Sequence, residues 1–120
     1  MGSCRCSICK LIGVIMMFDK YTVEKILSGD KTVTRRLKRK DGKRPAIPGK
    51  LHKIKIDRTP KMFGYIVILE CDIVKFGDLT MEDVLKEGFS SIEEYVNYFY
   101  SVNGIIDNDE YIWRIEFEVV

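Results

Sequence analysis

The sequence predicts an α+β fold, a mostly antiparallel, partly closed β-barrel of five to six strands with about three short helices. Three observations predict it. The 120 residues are 46% hydrophobic and 32% charged, which suits one globular domain. Apolar runs and alternating segments of strand length recur along the chain. The helical patterns are inserted between strands instead of following each strand, which disfavours a doubly wound parallel sheet.

The first half of the chain contains three predicted strands and one predicted helix. Residues 11–18 are an apolar run, typical of a buried strand and far shorter than the ~20 residues of a membrane span. Residues 22–28 place apolar side chains on one helical face, and Gly29 follows where a left-handed C-cap belongs. Residues 33–37 are predicted as a strand. Residues 51–56 alternate basic and apolar side chains, the period of a half-buried strand.

Two strands are predicted in the second half. Residues 64–76 form a long strand, and we expect a bulge near residues 70–72, where polar side chains interrupt the apolar run. Residues 111–120 alternate strictly, so that Trp113 lies on the apolar face and is expected in the core. This alternation is typical of a strand with one apolar and one polar face.

Two short helices are predicted between those strands. Thr80 and Asp83 resemble a capping box with Asp in place of Glu, opening a helix that ends at Gly88. Residues 90–93 open another helix. Its aromatic residues recur at helical spacing, which predicts Tyr95 and Phe99 in the core. Tyr98 is the candidate for an exposed platform on which a base could stack.

The cysteines leave two interpretations of the N-terminus open. They are Cys4, Cys6, Cys9 and Cys71. The first three could bind zinc with Cys71 or His52 as a fourth ligand, although no second cysteine pair is present. Reduced thiols on a mobile tail are the alternative, and they indicate a cytoplasmic protein. We therefore expect a cysteine-containing extension over residues 1–14, a folded domain over residues 15–120, and no metal or cofactor.

Charge is distributed unevenly along the chain. Between Lys31 and Lys61 there are thirteen Lys and Arg residues against Asp41 and Asp57, an excess of 11 positive charges. Residues 78–120 carry an excess of 9 negative charges. A basic segment of this density attracts phosphates. Alternatively, the two segments are solvated and partly neutralise each other.

The densest candidate for a functional site is the sequence from Gly29 to Arg36. If residues 32–36 are extended, Thr34 and Arg36 project from one face of the strand, with Lys31 nearby. A hydroxyl, an ammonium and a guanidinium that converge in this way can hold a phosphate, a carboxylate or a polarised carbonyl. Taken alone, such a charge run is more often a solvated surface.

The same residues resemble the signature of the ASCH superfamily, relatives of the PUA RNA-binding domains. That signature is Gly-x-Lys-x-x-Glu-x-Arg, and Gly29, Lys31 and Arg36 match it. Further landmarks of the family follow in order: Pro48-Gly49, Leu79-Thr80, Glu87-Gly88-Phe89 and residues 113–119. The resemblance covers residues 15–120 and implies a PUA-like barrel.

One position departs from the common signature, because Thr34 stands where many members carry Glu. A Thr here is similar to the small members that release acetate from N4-acetylcytidine. The resemblance implies that Lys31 is the proton acceptor, Thr34 the nucleophile and Glu87 the proton donor. Such chemistry requires a lysine whose pKa is depressed, since a threonine hydroxyl needs a base to remove its proton.

Two functions follow from these observations. The first is an RNA- or nucleotide-binding domain in which a basic cleft at residues 31–36 receives a base or modified nucleoside from single-stranded RNA. The residues expected to contact that ligand are Thr32, Arg35, Arg36, Lys38, Arg39, Lys53 and Lys55. The alternative is an amidohydrolase that uses Lys31, Thr34 and Glu87. A ribonuclease is disfavoured, because His52 is the only histidine. No membrane partner is expected.

Overall fold

The computed structural model describes residues 16–56 and 62–120. The strands are β1 (Met16–Phe18), β2 (Val33–Arg36), β3 (Leu51–Ile56), β4 (Met62–Lys75) and β5 (Tyr111–Val119). The helices are α1 (Lys20–Ser28), α2 (Met81–Lys86) and α3 (Ile92–Asn103), and a 3-10 turn spans Phe76–Asp78. In this part of the chain no helix is long and apolar enough to cross a membrane.

The five strands form one curled sheet in the order β1-β3-β4-β5-β2. Strand β1 pairs with β3 in parallel, and the other three pairings are antiparallel. The two edge strands come together at a seam, where the Arg36 guanidinium donates to the Met17 carbonyl at 2.9 Å. The predicted α+β fold, a partly closed barrel of five strands with three helices, is therefore confirmed.

Strand β5 contributes buried residues from both of its faces, to two different apolar clusters. Ile115 and Phe117 belong to the first cluster, together with residues of β1, α1, β3 and β4. Ile112, on the opposite face of β5, belongs to the second cluster, which lies between the sheet and helices α2 and α3. Trp113, expected in the core, is only half-buried and packs against the first cluster. It pairs with Arg36 on β2 and with Ile73 on β4.

The element boundaries follow local capping chemistry. Helix α1 begins earlier than predicted, because the Asp19 side chain accepts a hydrogen bond from the Thr22 N–H at 2.7 Å. It ends at Gly29, which has a φ of 86° and so takes the left-handed C-cap conformation. Helix α3 is capped by Ser91, inside the predicted opening at residues 90–93. The predicted bulge in β4 appears between Ile68 and Glu70.

Helix α2 shows half of the predicted capping box. The Thr80 hydroxyl accepts from the Asp83 N–H at 3.2 Å. The Asp83 carboxylate, however, does not turn back toward Thr80 but binds two arginines from the sheet. Ion pairing outcompetes the reciprocal cap because a charged guanidinium is a stronger donor than a neutral backbone N–H. The part of the predicted first strand at residues 11–15, and the cysteines of the extension, lie outside the described residues.

Candidate functional site

A cavity of about 590 Å³ opens at the seam between β1 and β2. Residues 16–18 line it from one edge strand and residues 34–36 from the other. Helix α3 contributes aromatic side chains to its wall, among them Tyr95 and Tyr98. The cavity thus occupies the gap that the incomplete barrel leaves open.

Lys31 is held at this cavity by the backbone around it. Its N–H donates to the carbonyl of Lys25 at 3.1 Å, just after the glycine that ends α1. The next N–H, from Thr32, donates to the Lys86 carbonyl at 2.7 Å and ties the loop to α2. The Lys31 ammonium, only 4% exposed, donates to the Val33 carbonyl at 2.9 Å. The side chain therefore turns inward instead of into solvent.

Glu87 meets Lys31 from the other side. It is the C-cap residue of α2, and its N–H donates to the Asp83 carbonyl at 2.8 Å. Gly88 then takes a φ of 88°, and the Lys25 ammonium binds its carbonyl at 2.5 Å. The Glu87 carboxylate, 1% exposed, lies 2.5 Å from the Lys31 ammonium. Fifty-six residues of sequence separate these two charges.

A second cation reaches the same carboxylate. The Arg35 guanidinium lies 3.3 Å from Glu87 Oε2 and 2.5 Å from Asp83 Oδ2. Asp83 is also held by Arg114, which donates to both of its carboxylate oxygens at 2.9 Å. The sequence-based prediction places Arg35 among the RNA contacts. The structure buries its guanidinium between two carboxylates, where it already has counter-charges.

These contacts shift two pKa values. Burial lowers the pKa of the Lys31 ammonium, and the nearby Glu87 carboxylate opposes that shift. Hydrogen bonds from Arg114, aided by Arg35, lower the pKa of Asp83 to about 2 against the cost of its burial. Burial therefore makes the proton of Lys31 easier to remove than that of an ordinary lysine.

Thr34 completes the floor of the cavity. Its side chain lines the cavity and is 6% exposed. Among the described residues its hydroxyl makes no hydrogen bond. The hydroxyl is therefore available to a ligand or to a neighbouring base.

The aromatic wall differs in part from the prediction. Tyr95 and Phe99 are buried, as predicted for core residues. Tyr98, predicted as an exposed platform, is half-buried, and its hydroxyl donates to Asp19 Oδ2 at 2.8 Å. Burial and this acidic neighbour raise the pKa of Tyr98 to about 12. Its ring lines the cavity with its hydroxyl anchored to the N-cap of α1.

The remaining predicted contacts lie at different places. Arg36 and Arg39 line the cavity, and the Arg36 guanidinium lies 4.8 Å from the centre of the Phe18 ring. Lys38 is exposed and lies over the Tyr111 ring at 5.7 Å. The half-buried positions are Thr32, Lys53 and Lys55, the last two on β3. Only part of the predicted set therefore meets at the cavity.

Sequence reasoning missed Asp83 and Arg114 as members of the charged cluster. A signal existed in each case. Asp83 stood in the capping box at a position where Glu is usual, and Arg114 was the one cation in the acidic final strand. Neither signal indicates a partner, because the partners are far apart in the sequence. Asp83 is separated from Arg114 by 31 positions and from Arg35 by 48 positions.

No group of metal-ligating side chains occurs among residues 16–56 and 62–120. Cys71, a suggested fourth zinc ligand, is buried in the first apolar cluster. The other three cysteines belong to the part of the chain that is not described. The alternative of a zinc site on the extension is therefore untested by the described residues, as is the expectation of no metal.

Comparison with known proteins agrees with this architecture. The chain belongs to the ASCH domain family, whose sequence model matches residues 14–120. The fold is similar to an ASCH domain from Lactobacillus crispatus JV V101, with 17% identity, a TM-score of 0.69, and coverage of 90% of this chain and 79% of that one. It is also similar to a protein from Enterococcus faecalis V583, with 18% identity, a TM-score of 0.69, and coverage of 92% and 80%.

A third similar structure is the ASCH protein from Zymomonas mobilis. Identity is 20%, the TM-score is 0.60, and 92% of this chain and 71% of that one are covered. No curated protein matches the chain in sequence. At these identities the structural similarity concerns the fold, and function has to be argued from the site.

Proposed function

We propose that this ASCH domain binds RNA or a nucleotide, and that the cavity at the seam receives one base or modified nucleoside. The observation that carries the proposal is the meeting of Lys31, Thr34 and Glu87 at one cavity of about 590 Å³. That volume lies in the range of ~300–1,000 Å³ typical of small-molecule sites.

The floor of the cavity offers specific polar groups. The Lys31 ammonium donates one hydrogen bond to the Val33 carbonyl and one to the Glu87 carboxylate. Its third N–H can donate to a ligand. Thr34 supplies a hydroxyl that can donate or accept. The carbonyl oxygens and ring nitrogens of a base suit these groups, while the rings of Tyr95 and Tyr98 provide apolar wall area.

The rim of the cavity carries positive charge. Arg36 and Arg39 line it, and Lys38 is exposed close by in sequence. These cations can contact the phosphates that flank a base in the cavity, as in other proteins that bind single strands. Lys53 and Lys55 are half-buried on β3, the strand that pairs with the edge strand β1, and they do not line the cavity.

Fluorescence anisotropy with a labelled single-stranded RNA at increasing salt tests the proposal. We expect affinity to fall with salt, with a slope of about 0.7 per phosphate neutralised. Thr34→Val keeps the shape of the side chain and removes the hydroxyl, so it should weaken base binding and leave the salt slope unchanged. Glu24→Gln, on the exposed side of α1, is the control. Absence of binding, or tight binding that is insensitive to salt, would contradict the proposal.

A second function, hydrolysis of the acetyl-amide of N4-acetylcytidine or a relative, is favoured by a separate observation. The pKa of Lys31 is lowered by burial, and the Thr34 hydroxyl has no partner among the described residues of the same cavity. A deprotonated Lys31 can take the Thr34 proton, and the oxygen then attacks the acetyl carbonyl. The proton that Lys31 loses passes to Glu87, 2.5 Å away, and Glu87 delivers it to the amine when the C–N bond breaks. Water hydrolyses the acetyl-threonine and releases acetate.

Incubation of the protein with N4-acetylcytidine and separation of cytidine by chromatography tests this second function. The rate should fall at high pH as the Lys31–Glu87 pair loses the proton that the leaving amine needs, in a range below that of an ordinary lysine because burial lowers the pKa of Lys31. Lys31→Met and Thr34→Val should abolish turnover, whereas Glu24→Gln should not change it. Turnover that survives in Thr34→Val would show that another nucleophile is used.

A further inference from the structure

The charged cluster continues beyond the cavity in one direction. From Lys31 it passes to Glu87, from Glu87 to Arg35, and from Arg35 to Asp83. Asp83 does not line the cavity of about 590 Å³; it lines a second cavity of about 370 Å³, together with Arg114. Arg35 lines both cavities and is the link between them.

The geometry of Arg35 explains why it can form this link. One nitrogen of its planar guanidinium contacts Glu87 and another contacts Asp83. A lysine offers a single charged nitrogen, so it cannot place a separate nitrogen against each of the two carboxylates as the planar guanidinium does. The side chain of Arg35 is 2% exposed, so it cannot exchange these contacts for water.

The link through Arg35 fixes the orientation of the Glu87 carboxylate. Lys31 occupies Oε1 and Arg35 occupies Oε2, so both carboxylate oxygens are used and the plane of the group is defined. A Glu87 that loses Arg35 keeps Lys31 and the neighbouring Tyr95 hydroxyl but loses the cation at Oε2, and it can then rotate about its last torsion, which is broad in energy. The third N–H of the Lys31 ammonium, which is the donor left for a ligand, then no longer points in one fixed direction.

Asp83, in turn, is placed by Arg114. Nε and one terminal nitrogen of the Arg114 guanidinium donate to the two carboxylate oxygens of Asp83, each at 2.9 Å, in a bidentate pair. Strand β5 therefore orients Asp83, and Asp83 orients Arg35 on the neighbouring strand β2.

We infer that Asp83 and Arg35 are positioning residues, which act through Glu87 to hold the Lys31 ammonium at the floor of the cavity in the direction that a ligand requires. The effect on a ligand rests on the proposed function. The effect on Lys31 itself does not, and it can be measured without any ligand.

The ligand-free experiment follows the ammonium signal of Lys31 by nitrogen-15 NMR in Asp83→Asn and in Glu116→Gln. Both side chains pair with Arg114, and both are mostly buried, but Glu116 does not contact Arg35. We expect Asp83→Asn to shift or broaden the Lys31 signal and Glu116→Gln to leave it in place. Equal spectra for Asp83→Asn and the wild-type protein would overturn the inference, whether or not the protein binds a nucleotide.

The ligand experiment measures the affinity for each of the four ribonucleoside 5′-monophosphates by calorimetry. For a nucleotide that binds the wild type, Asp83→Asn should weaken binding about three- to tenfold, and Glu116→Gln less than twofold. Arg35→Lys should weaken it as Asp83→Asn does, because one ammonium nitrogen cannot reproduce the two separate contacts of the guanidinium. An affinity fully kept in Arg35→Lys would overturn the bridging role. Failure of the wild type to bind any nucleotide would count against the proposed function alone.

The wild-type protein provides a test that does not depend on any variant folding. An Arg35 side chain held between Glu87 and Asp83 rotates slowly, so its terminal nitrogens should give separate NMR signals. One averaged signal would overturn the inference.

Discussion

Residues 31–36 and residues 38–44 are continuous parts of the basic segment in the sequence, but they have opposite environments in the structure. We call them the buried half and the exposed half. In residues 31–36, Lys31 and Arg35 are 4% and 6% exposed, and each contacts a buried or mostly buried carboxylate. In residues 38–44, the cations Lys38, Arg39 and Lys40 are exposed. The density of positive charge along a chain therefore predicts where the cations are, but not whether they face a ligand or an internal partner.

The difference has an energetic cause. A charge removed from water must be paired and hydrogen-bonded, or its burial costs several kcal/mol. Lys31 and Arg35 meet this condition through Glu87 and Asp83, which come from the acidic second half of the chain. The two segments of opposite charge thus neutralise each other in part, whereas Lys38, Arg39 and Lys40 remain exposed.

Loss of Glu87 should have the largest effect on this contrast. Glu87→Gln leaves Lys31 and Arg35 without their shared counter-charge inside the protein. We expect the free energy of unfolding to fall by about 3–5 kcal/mol in chemical denaturation. Lys38→Gln, in the exposed half, should change it by less than about 0.5 kcal/mol. If the free energy of unfolding falls by less than about 1 kcal/mol in Glu87→Gln, the ion pair of Lys31 and Glu87 is exposed to solvent and the contrast is contradicted.

Two arginines allow a direct comparison of the halves. Arg35→Gln removes charged hydrogen bonds to two carboxylates, so it should destabilise the fold by about 2–3 kcal/mol. Arg39→Gln removes one exposed pair with Asp41 and should cost less than about 1 kcal/mol. The measurement is urea denaturation of both variants under one condition. Equal losses would contradict the contrast.

Acid should weaken the buried half selectively. The pKa of Asp83 is about 2 when folded and 3.8 when unconstrained, so its stabilisation is complete above pH ~4 and disappears as the pH falls through ~2. This contribution is about 2 kcal/mol, from a shift of nearly two units. Denaturation curves between pH 2 and 5 should therefore show a smaller pH dependence for Asp83→Asn than for wild type. Parallel profiles would show that Asp83 is not the titrating group.

The smallest effects on stability, and a distinct effect on binding, are expected from the exposed half. Lys38→Gln and Arg39→Gln should each lower the salt slope of single-stranded RNA binding by about 0.7 for every phosphate that the variant no longer neutralises. Arg35→Gln, whose charge is already neutralised inside the protein, should leave that slope unchanged. Anisotropy titrations at several salt concentrations separate these outcomes. A lower slope in Arg35→Gln would place its charge on the RNA path.

Most of the fold follows from local patterns in the sequence. The strict alternation near the C-terminus predicts β5, and the Gly29 C-cap and the hydroxyls of Thr80 and Ser91 delimit the helices. These signals are readable because capping and alternation involve residues two to four positions apart. The burial of Ile112 was not predicted, since its partners come from α2 and α3 and are remote in sequence.

The candidate site is predictable only in part, for a related reason. The spacing of Lys31 and Thr34 and the resemblance to ASCH domains indicated which residues to examine, and the structure places them with Glu87 at one cavity. The interpretation of Arg35 as an RNA contact could not include Asp83, because nothing local relates residue 35 to residue 83. The half-buried position of Tyr98 likewise depends on Asp19 in another helix's N-cap.

The sequence by itself determined the order of strands and helices, the family, and the residue types at the cavity, because each depends on short-range periodicity or on a contiguous motif. The tertiary structure alone decided which charges are buried together. Curling of the sheet brings β2 beside both β5 and the seam, so residues far apart in the chain become partners. Whether a cation binds a ligand or an internal carboxylate is set by that arrangement in space.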